Sequence, residues 1–367
     1  MKMFVGTYTE NILFGTGEVL HGKGEGIYVY DFDPMTGGLQ LISVSRGIAN
    51  PSYLTCSPCG TYLYAVNELK EYAGINSGSV SSYTIDRNTI KLTLRSIQPS
   101  FGTDPCHLMT NRTGSRLFLA NFMSGNIAWY AVHEDGCIGE VLQVIQHEGS
   151  STDAHRQAGP HAHAAVVSPD DRFLYIPDLG TDEIMVYSID YDQNMLILRQ
   201  TIRTKPGSGP RFLVFHPHIS AAYVINELDS TIYVYRYHKE DGNLSYIAAY
   251  STLPPDFKEH STCSDIRIIP SGEFLYASNR GHDSLAHYRI DQKSGKLTFL
   301  AHTSTLGKCP RNFTIDPSGK YVLAANQNSD TIAVFSIDAT SGMLESTGAP
   351  VYAPTPVCLC FLPMHKA

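Results

Sequence analysis

The sequence contains several side chains that could bind an anion and move a proton. The stretch RQAGPHAH holds His161 and His163, GPRF holds Arg211, and INEL holds Glu227. Arginine forks match carboxylate and phosphate groups, whereas histidine and glutamate can exchange protons near neutral pH. These residue types indicate chemistry on a small anionic ligand, provided that the fold brings them together.

The histidine pair has other interpretations. A histidine at the start of a strand is more often a hydrogen-bonded structural residue than a catalytic one. The HxH spacing could also bind a metal, but a metal needs further ligands, and arginines are poor neighbours for a cation. No HExxH, GxSxG or P-loop motif occurs, which removes support from zinc-protease, serine-hydrolase and nucleotide-phosphate chemistry. We therefore expect no metal and no organic cofactor.

Composition narrows the class of partner. The chain of 367 residues has a formal net charge of -8 and no basic run, so nucleic-acid binding is not expected. No stretch approaches the roughly 18 apolar residues of a membrane span, and MKMFVGTYTE lacks the apolar core of a secretory signal. The eight cysteines are scattered, which indicates reduced thiols and a cytoplasmic location. Nothing in the sequence indicates an oligomeric state.

An internal repeat identifies the elements that must position these residues. Related segments begin at Asn50, Asp104, Gly159, Gly209, Cys263 and Cys309, and a shortened one begins at Thr355. Each full unit contains an apolar run, a turn rich in Ser, Pro, Asp and Gly, an aromatic and β-branched run, and two further alternating runs. Four strands in each unit of about 50 residues predict an all-β, seven-bladed β-propeller rather than a β-sandwich.

The shortened unit is completed by the N-terminus. KMFVGTYT matches the second strand of the other units and GIYVYDFD matches the third, so the C-terminal strand VCLCFL shares a blade with the N-terminal strands. This pairing closes the ring and removes exposed sheet edges. We expect one domain over residues 1–367.

Two positions in each blade are expected to converge on one channel mouth. With the proline position of each unit as the anchor, they hold Ser52, Cys106, His161, Arg211, Asp265, Arg311 and Val357, and Tyr8, Glu68, Phe122, Asp178, Glu227, Arg280 and Gln327. Because side chains alternate along a strand, His163 and Arg267 should lie one step deeper on the channel side. Several arginines at one opening of an acidic protein favour a small anionic ligand.

These segments resemble the lactonase family of seven-bladed propellers, which includes bacterial 6-phosphogluconolactonases of the cycloisomerase-2 type and fungal carboxymuconate cyclases. The resemblance lies in VGTYTE, DPCHL, RQAGPHAH, INELDSTIYVY, SNRGHDS and PRNFTIDPSGKYVLAANQNSD, in order along nearly the whole chain. It implies catalytic roles for His161 or His163, Arg211, Glu227 and Arg280. Other residues near the expected mouth are assigned to substrate binding: Arg311, Glu68, Asp265, Arg267 and Arg156.

The chain departs from the family pattern at two places. Phe212 follows GPR where the family usually has histidine, and TCSDIR, with Asp265 and Arg267, replaces a segment like SAEIH. Phe212 is expected to face away from the channel as a packing change. Asp265 and Arg267 are expected to face the channel, where they could alter substrate choice.

The resemblance implies hydrolysis of 6-phosphoglucono-1,5-lactone to 6-phosphogluconate, a step of the pentose phosphate pathway. Arg211 and Arg280 would bind the phosphate or polarise the lactone carbonyl, and Glu227 or a histidine would activate water. Two alternatives stay open at this point. One is a lactonising enzyme of the carboxymuconate cyclase type, and the other is a non-enzymatic propeller that serves as a binding scaffold.

Overall fold

The structure is a computed structural model that describes residues 1–14 and 17–363. Seven β-sheets form the blades of a propeller, which confirms the fold predicted from the repeat. The described residues contain one short 3-10 helix, Gln327–Ser329, and no helix long and apolar enough to cross a membrane.

Blade 1 contains both ends of the described chain. Its four strands, from the channel outwards, are β31 (Pro356–Phe361), β1 (Lys2–Thr7), β4 (Gly26–Phe32) and β5 (Leu39–Arg46). Met3 pairs with Phe361 and Val5 with Leu359 in an antiparallel ladder. The ring is therefore closed by strands from the two ends of the sequence, as expected. A small hairpin, β2 (Asn11–Leu13) and β3 (Val19–His21), lies between β1 and β4.

Blades 2 to 7 follow in chain order, each starting at the channel. Blade 2 contains β6 (Pro51–Cys56), β7 (Tyr62–Asn67), β8 (Ser79–Ile85) and β9 (Leu92–Pro99). Blade 3 contains β10 (Pro105–Thr110), β11 (Arg116–Asn121), β12 (Asn126–Val132) and β13 (Ile138–Gln146). Blade 4 contains β14 (Val166–Val167), β15 (Phe173–Asp178), β16 (Glu183–Asp190) and β17 (Met195–Arg203).

The last three blades follow the same order. Blade 5 contains β18 (Pro210–Phe215), β19 (Ala221–Asn226), β20 (Thr231–Tyr237) and β21 (Leu244–Ser251). Blade 6 contains β22 (Thr262–Ile268), β23 (Phe274–Arg280), β24 (Ser284–Ile290) and β25 (Leu297–Ser304). Blade 7 contains β26 (Pro310–Ile315), β27 (Tyr321–Asn326), β28 (Thr331–Ile337), β29 (Leu344–Ser346) and β30 (Val351–Tyr352). In blade 7 the two short strands, β29 and β30, both pair with β28.

A tyrosine in the second strand of several blades links that blade to the next one. The hydroxyl of Tyr223 donates to the carbonyl of Gly295 (2.8 Å), and that of Tyr276 donates to Gly342 (2.9 Å). The acceptor glycines lie in turns with φ of 73° and 74°, a backbone region that glycine adopts readily. These rings are buried, and each buried hydroxyl is satisfied by a hydrogen bond. The repeated tyrosine therefore fixes the angle between neighbouring blades.

An asparagine at the end of the second strand forms a second link between blades. The side-chain amides of Asn121, Asn279 and Asn326 donate to carbonyls of the preceding blade at 2.8–2.9 Å. Blade 4 has Asp178 at this position, and its carboxylate oxygen lies 2.7 Å from Nδ1 of His147. In blade 4 the residue at the end of the second strand therefore supplies the acceptor of this link, whereas in the other three blades it supplies the donor. Both asparagine and aspartate hold the start of the following loop at the mouth.

Candidate active site at the channel mouth

The register of the strands shows which residues occupy equivalent places at the mouth. The turn that follows each innermost strand is closed by equivalent bonds, from the amide of Ser168 to Phe173 O and from that of His216 to Ala221 O. Counting back from these turns aligns His163, and not His161, with Arg211. The bridge between Ala162 and Asp178 likewise corresponds to the pairing of Pro210 with Asn226.

The anchor used in the sequence was therefore wrong for blade 4. Pro160 lies in a longer loop, two residues before the position equivalent to Pro210, so His161 does not share the place of Arg211 and Arg311. The second-strand position also moves by one residue, because the amide of Leu179, rather than that of Asp178, makes the bond that Glu227 makes in blade 5. Asp178 is fully buried and its carboxylate holds the amides of His161, Gly180 and Thr181.

The alignment of blade 6 with the other blades, as made from the sequence, is also wrong, here by one residue. Cys263 pairs with Asn279, so Ser264 is the equivalent of Arg211, and Asp265 is the equivalent of Phe212. Asp265 and Arg267 accordingly do not line the mouth. Asp265 lines a small internal space further along the channel, and Arg267 lines the pocket at the opposite opening.

The expectation that Phe212 faces away from the channel is also wrong. Its ring lines the channel, lies 5.2 Å from the ring of His107, and has the guanidinium of Arg267 5.1 Å from its centroid. Arg267 also contacts Asp265 at 3.1 Å. The two departures from the family pattern are thus one packed group, which lies between the mouth and the opposite opening.

A cavity of about 890 Å³ opens at the mouth. The sequence-predicted residues that line it are Glu68, Arg156, His163, Arg211, Glu227, Arg280 and Arg311. His161 is not among the lining residues, because its ring is stacked behind Phe122 at 4.6 Å and its Nδ1 lies 2.9 Å from the Phe122 carbonyl. The structure therefore brings together seven of the ten predicted site residues.

Glu227 is the centre of the charged group on the floor of this cavity. Its Oε1 accepts from Arg156 Nη2 at 2.6 Å, and its Oε2 accepts from Arg211 Nε at 2.8 Å and contacts Arg280 Nη2 at 2.7 Å. These arginines come from a loop before blade 4, the first strand of blade 5 and the second strand of blade 6. One buried carboxylate thus holds three cations from separate blades in a fixed arrangement.

The electrostatics of this group fix its charge state. Burial alone would raise the pKa of Glu227, but Arg280, Arg156 and Arg211 hold it well below its usual range. Burial and the neighbouring Arg280 lower the pKa of Arg211 to about 10. Glu227 and Arg211 are therefore charged at neutral pH, and together with the two other arginine side chains they form a cluster with a net positive charge that faces the cavity.

Arg311 is the arginine at the mouth whose side chain makes no hydrogen bond or close ion pair among the described residues, although Tyr8 and Glu68 lie near enough to raise the pKa of its guanidinium. Its guanidinium lies 5.5 Å from the ring centroid of Tyr8 and 5.2 Å from that of Phe14. The Tyr8 hydroxyl donates to Glu68 at 2.9 Å, which occupies that carboxylate in turn. Arg311 is therefore held by aromatic faces with its hydrogen-bond donors available to a ligand.

His163 is the histidine that can take part in proton transfer. Burial, assisted by the positive charge of Arg211, holds the pKa of His163 well below its usual value, so the ring is neutral. Its Nδ1 lies 3.9 Å from Cys106 Sγ, and its Nε2 has no hydrogen-bond partner in the described part of the chain. Burial raises the pKa of the Cys106 thiol, which removes it as a thiolate nucleophile.

Sequence reasoning missed several residues that line the cavity. Asp104 precedes the first strand of blade 3, and its carboxylate contacts Lys70 at 2.8 Å. Burial and the proximity of Glu68 raise the pKa of Asp104 to about 6. The hairpin of β2 and β3 also lines the cavity. Its signal in the sequence was the unusual distance between VGTYT and GIYVYDF, and the Asp104 carboxylate had no comparable signal.

No group of three or more His, Cys, Asp or Glu side chains suited to hold a metal occurs among residues 1–14 and 17–363. All eight cysteines are free thiols. The groups that line the mouth are instead arginines, carboxylates and one neutral imidazole. This set can bind an anion, polarise a carbonyl oxygen and exchange a proton.

Comparison with known proteins supports one family. The model of the family described as "Lactonase, 7-bladed beta-propeller" matches residues 2–361. A 6-phosphogluconolactonase from Bacillus subtilis is 32% identical over 98% of this chain and 97% of its own length. A 6-phosphogluconolactonase from Formosa agariphila is 35% identical over 86% of each chain.

Solved structures agree with this result. A putative 6-phosphogluconolactonase from Bacteroides fragilis has a TM-score of 0.87 and 34% identity, covering 98% of this chain and 96% of that one. A periplasmic gluconolactonase from Pseudomonas aeruginosa has a TM-score of 0.89 and 33% identity, covering 99% of both chains. The chain therefore belongs to the lactonase family of seven-bladed β-propellers, as the sequence motifs predicted.

Proposed function

We propose that this protein hydrolyses 6-phosphoglucono-1,5-lactone to 6-phosphogluconate, the reaction after which its bacterial relatives are named. The observation that carries the proposal is the arrangement of four arginines around one cavity, with a neutral His163 beside them. Such a cavity suits a substrate with one anionic group and one carbonyl that develops negative charge.

The arginines have different capacities for binding. The Arg311 side chain makes no hydrogen bond or close ion pair in the described part of the chain, so its donors are free to hold the phosphate. The Nη2 of Arg280 contacts the Cys263 carbonyl and Glu227, whereas its other terminal nitrogen makes no hydrogen bond in the described part of the chain. We assign Arg311 to the phosphate, and we assign Arg280 to the lactone carbonyl, where its charge would stabilise the oxyanion.

His163 is the proposed general base. A neutral imidazole with an unoccupied Nε2 can accept a proton from water as the water attacks the carbonyl carbon, and can return it to the ring oxygen as the C–O bond breaks. Glu227 is a poor candidate for this step because three arginines occupy its oxygens and hold its pKa low. Its proposed role is to position those arginines.

The choice between lactones with and without a phosphate group is a separate question from the reaction type. The Pseudomonas relative is described as a gluconolactonase of the periplasm, so a sugar lactone without phosphate is the close competitor for this site. Binding through Arg311 is the reason to favour the phosphorylated lactone. The cytoplasmic location and the place in the pentose phosphate pathway stay predictions.

The test is lactone hydrolysis measured by proton release, with the spontaneous ring opening subtracted. The wild type should exceed the spontaneous rate, and Arg211→Ala should lose most of that excess. Arg203→Ala is the matched control, because Arg203 pairs with Glu183 on the outer strand of blade 4 and should leave the rate unchanged. Equal rates with and without protein would reject the hydrolase and favour a binding scaffold. Turnover of carboxymuconate but not of the lactone would favour a lactonising enzyme.

A further inference from the structure

Blade 1 carries the longest insertion between its second and third strands. This connection has three or four residues in each of blades 3 to 7 and eleven in blade 2 (68–78), whereas in blade 1 it spans residues 8–25. This longer connection contains the hairpin of β2 and β3. Insertions of this kind on a rigid scaffold are where binding specificity is commonly found.

The hairpin leaves an apolar pair uncovered. Ile12 is buried with Tyr8 and Val357 in a small core that attaches the hairpin to the ring. Leu13 and Val19 pair across the hairpin, line the mouth cavity, and remain 50% and 53% exposed. The packing of the propeller gives no reason for this exposed pair.

Two further apolar side chains line the same cavity. They are Phe122 and Met123 of blade 3, and Met123 is also exposed. The floor below them carries the arginine cluster around Glu227. The cavity is thus charged at its floor and apolar at its rim. Its volume of about 890 Å³ lies in the upper part of the range of roughly 300–1,000 Å³ for small-molecule sites.

We propose, on the basis of the lactone hydrolysis inferred above, that the site accepts lactones with an apolar substituent. The carbonyl of the lactone lies on the arginines, and the substituent packs against the apolar rim of Leu13, Val19, Phe122 and Met123. In the reaction the water oxygen bonds to the carbonyl carbon and the ring C–O bond breaks. One water proton is transferred to the leaving oxygen, and the other is released as the carboxylic acid ionises. The product is a hydroxy carboxylate that keeps the apolar chain.

Binding of alkyl carboxylates tests the apolar rim without any need for turnover. Acetate, butanoate, hexanoate and octanoate would be titrated calorimetrically into the wild type. Each added CH₂ that is fully buried should tighten binding up to about fourfold. In the double variant Leu13→Ser, Val19→Ser this dependence on chain length should fall by at least half. Ile42→Ser is the matched control, since Ile42 is an exposed apolar residue of β5 outside the cavity.

Turnover gives the second measurement. The ratio of kcat/KM for δ-decalactone to that for δ-valerolactone should exceed about ten in the wild type and fall towards one in the double variant. A wild type that hydrolyses sugar lactones but shows no chain-length dependence in either experiment would overturn this inference and leave the proposed function standing. Chain-length-dependent binding with no turnover of any lactone would leave the apolar rim in place and reject the proposed function.

Discussion

The substitution Glu227→Gln tests whether Glu227 holds the three arginines in place or itself takes part in proton transfer. Glutamine keeps the shape of the side chain but removes the charge that three arginines share. In the wild type the Glu227 side chain is 4% exposed, and those of Arg211, Arg280 and Arg156 are 8%, 15% and 16% exposed. Water can therefore replace the lost charge only in part, and the arginines should repel one another.

The cost can be estimated from the burial of the group. Removing one partner of a buried ion pair destabilises a protein by about 3–5 kcal/mol. An unfolding entropy of about 2.1 cal/mol/K per residue amounts to about 0.8 kcal/mol/K for a chain of this length, so the melting temperature should fall by about 4–6 °C. An anion bound by the unpaired arginines should restore part of the loss, because a ligand at 100 times its Kd contributes about 2.7 kcal/mol.

Thermal unfolding with and without 6-phosphogluconate measures both effects. Glu68→Gln is the comparison variant, since Glu68 is a buried carboxylate of the same cavity whose described bond is to the Tyr8 hydroxyl. The activity of Glu227→Gln should fall while its pH–rate profile keeps its shape, because the low pKa of Glu227 puts its titration below the working range. A melting temperature within 1 °C of the wild type, or the disappearance of one limb of the pH profile, would refute the anchoring role.

Three further results are expected. His163→Gln should lower kcat by about 10²–10⁴, whereas His161→Gln should change it less than tenfold, because the His161 ring lies behind Phe122; equal losses in steady-state kinetics would contradict this assignment. Arg311→Gln should raise the KM for the phosphorylated lactone by roughly 10–100-fold, with a smaller effect on gluconolactone, and a uniform effect on both would remove Arg311 from phosphate binding. Burial and the neighbouring His302 lower the pKa of His287 to about 4, so the unfolded chain binds more protons and stability is lost as pH falls from about 6.5 to 4. Denaturant titrations of His287→Phe should recover roughly 3 kcal/mol of that loss, and an unchanged acid dependence would exclude His287 as its source.

The fold was predictable from the sequence because the repeat is visible in the turns and the aromatic strands. Tyr223 and Tyr276 belong to runs that recur in each blade, and the structure shows that the repeated tyrosine links neighbouring blades. The closing pair of strands was predictable for a similar reason, since VCLCFL had no second strand after it in the sequence. Because the repeat recurs in seven blades, a misaligned residue in one blade does not change the predicted fold.

The candidate site was less predictable because it depends on single residues. The number of residues from the mouth to the turn at the other end of the innermost strand is constant, as the spacing of His163 to Ser168 and of Arg211 to His216 shows. The loop that leads to the mouth varies in length, so a proline in that loop is a poor anchor. Counting from the turn would have placed His163 correctly. The group of Phe212, Asp265 and Arg267 could not have been recognised in this way, because its members come from different blades and meet only in the folded ring.

The closure of blade 1 has a consequence for the order in which the molecule can be completed. Met3 in β1 is synthesised before the other six blades, and its partner Phe361 in β31 is synthesised after them. During translation the edge of β1 therefore stays unpaired until the other six blades have been made, and contacts of such long sequence separation form slowly. A release of the nascent chain before residue 356 would leave two open sheet edges, which other chains can pair with. Protein quality control in the cell should accordingly act even on chains that stop within β31, although the other six blades are complete by then.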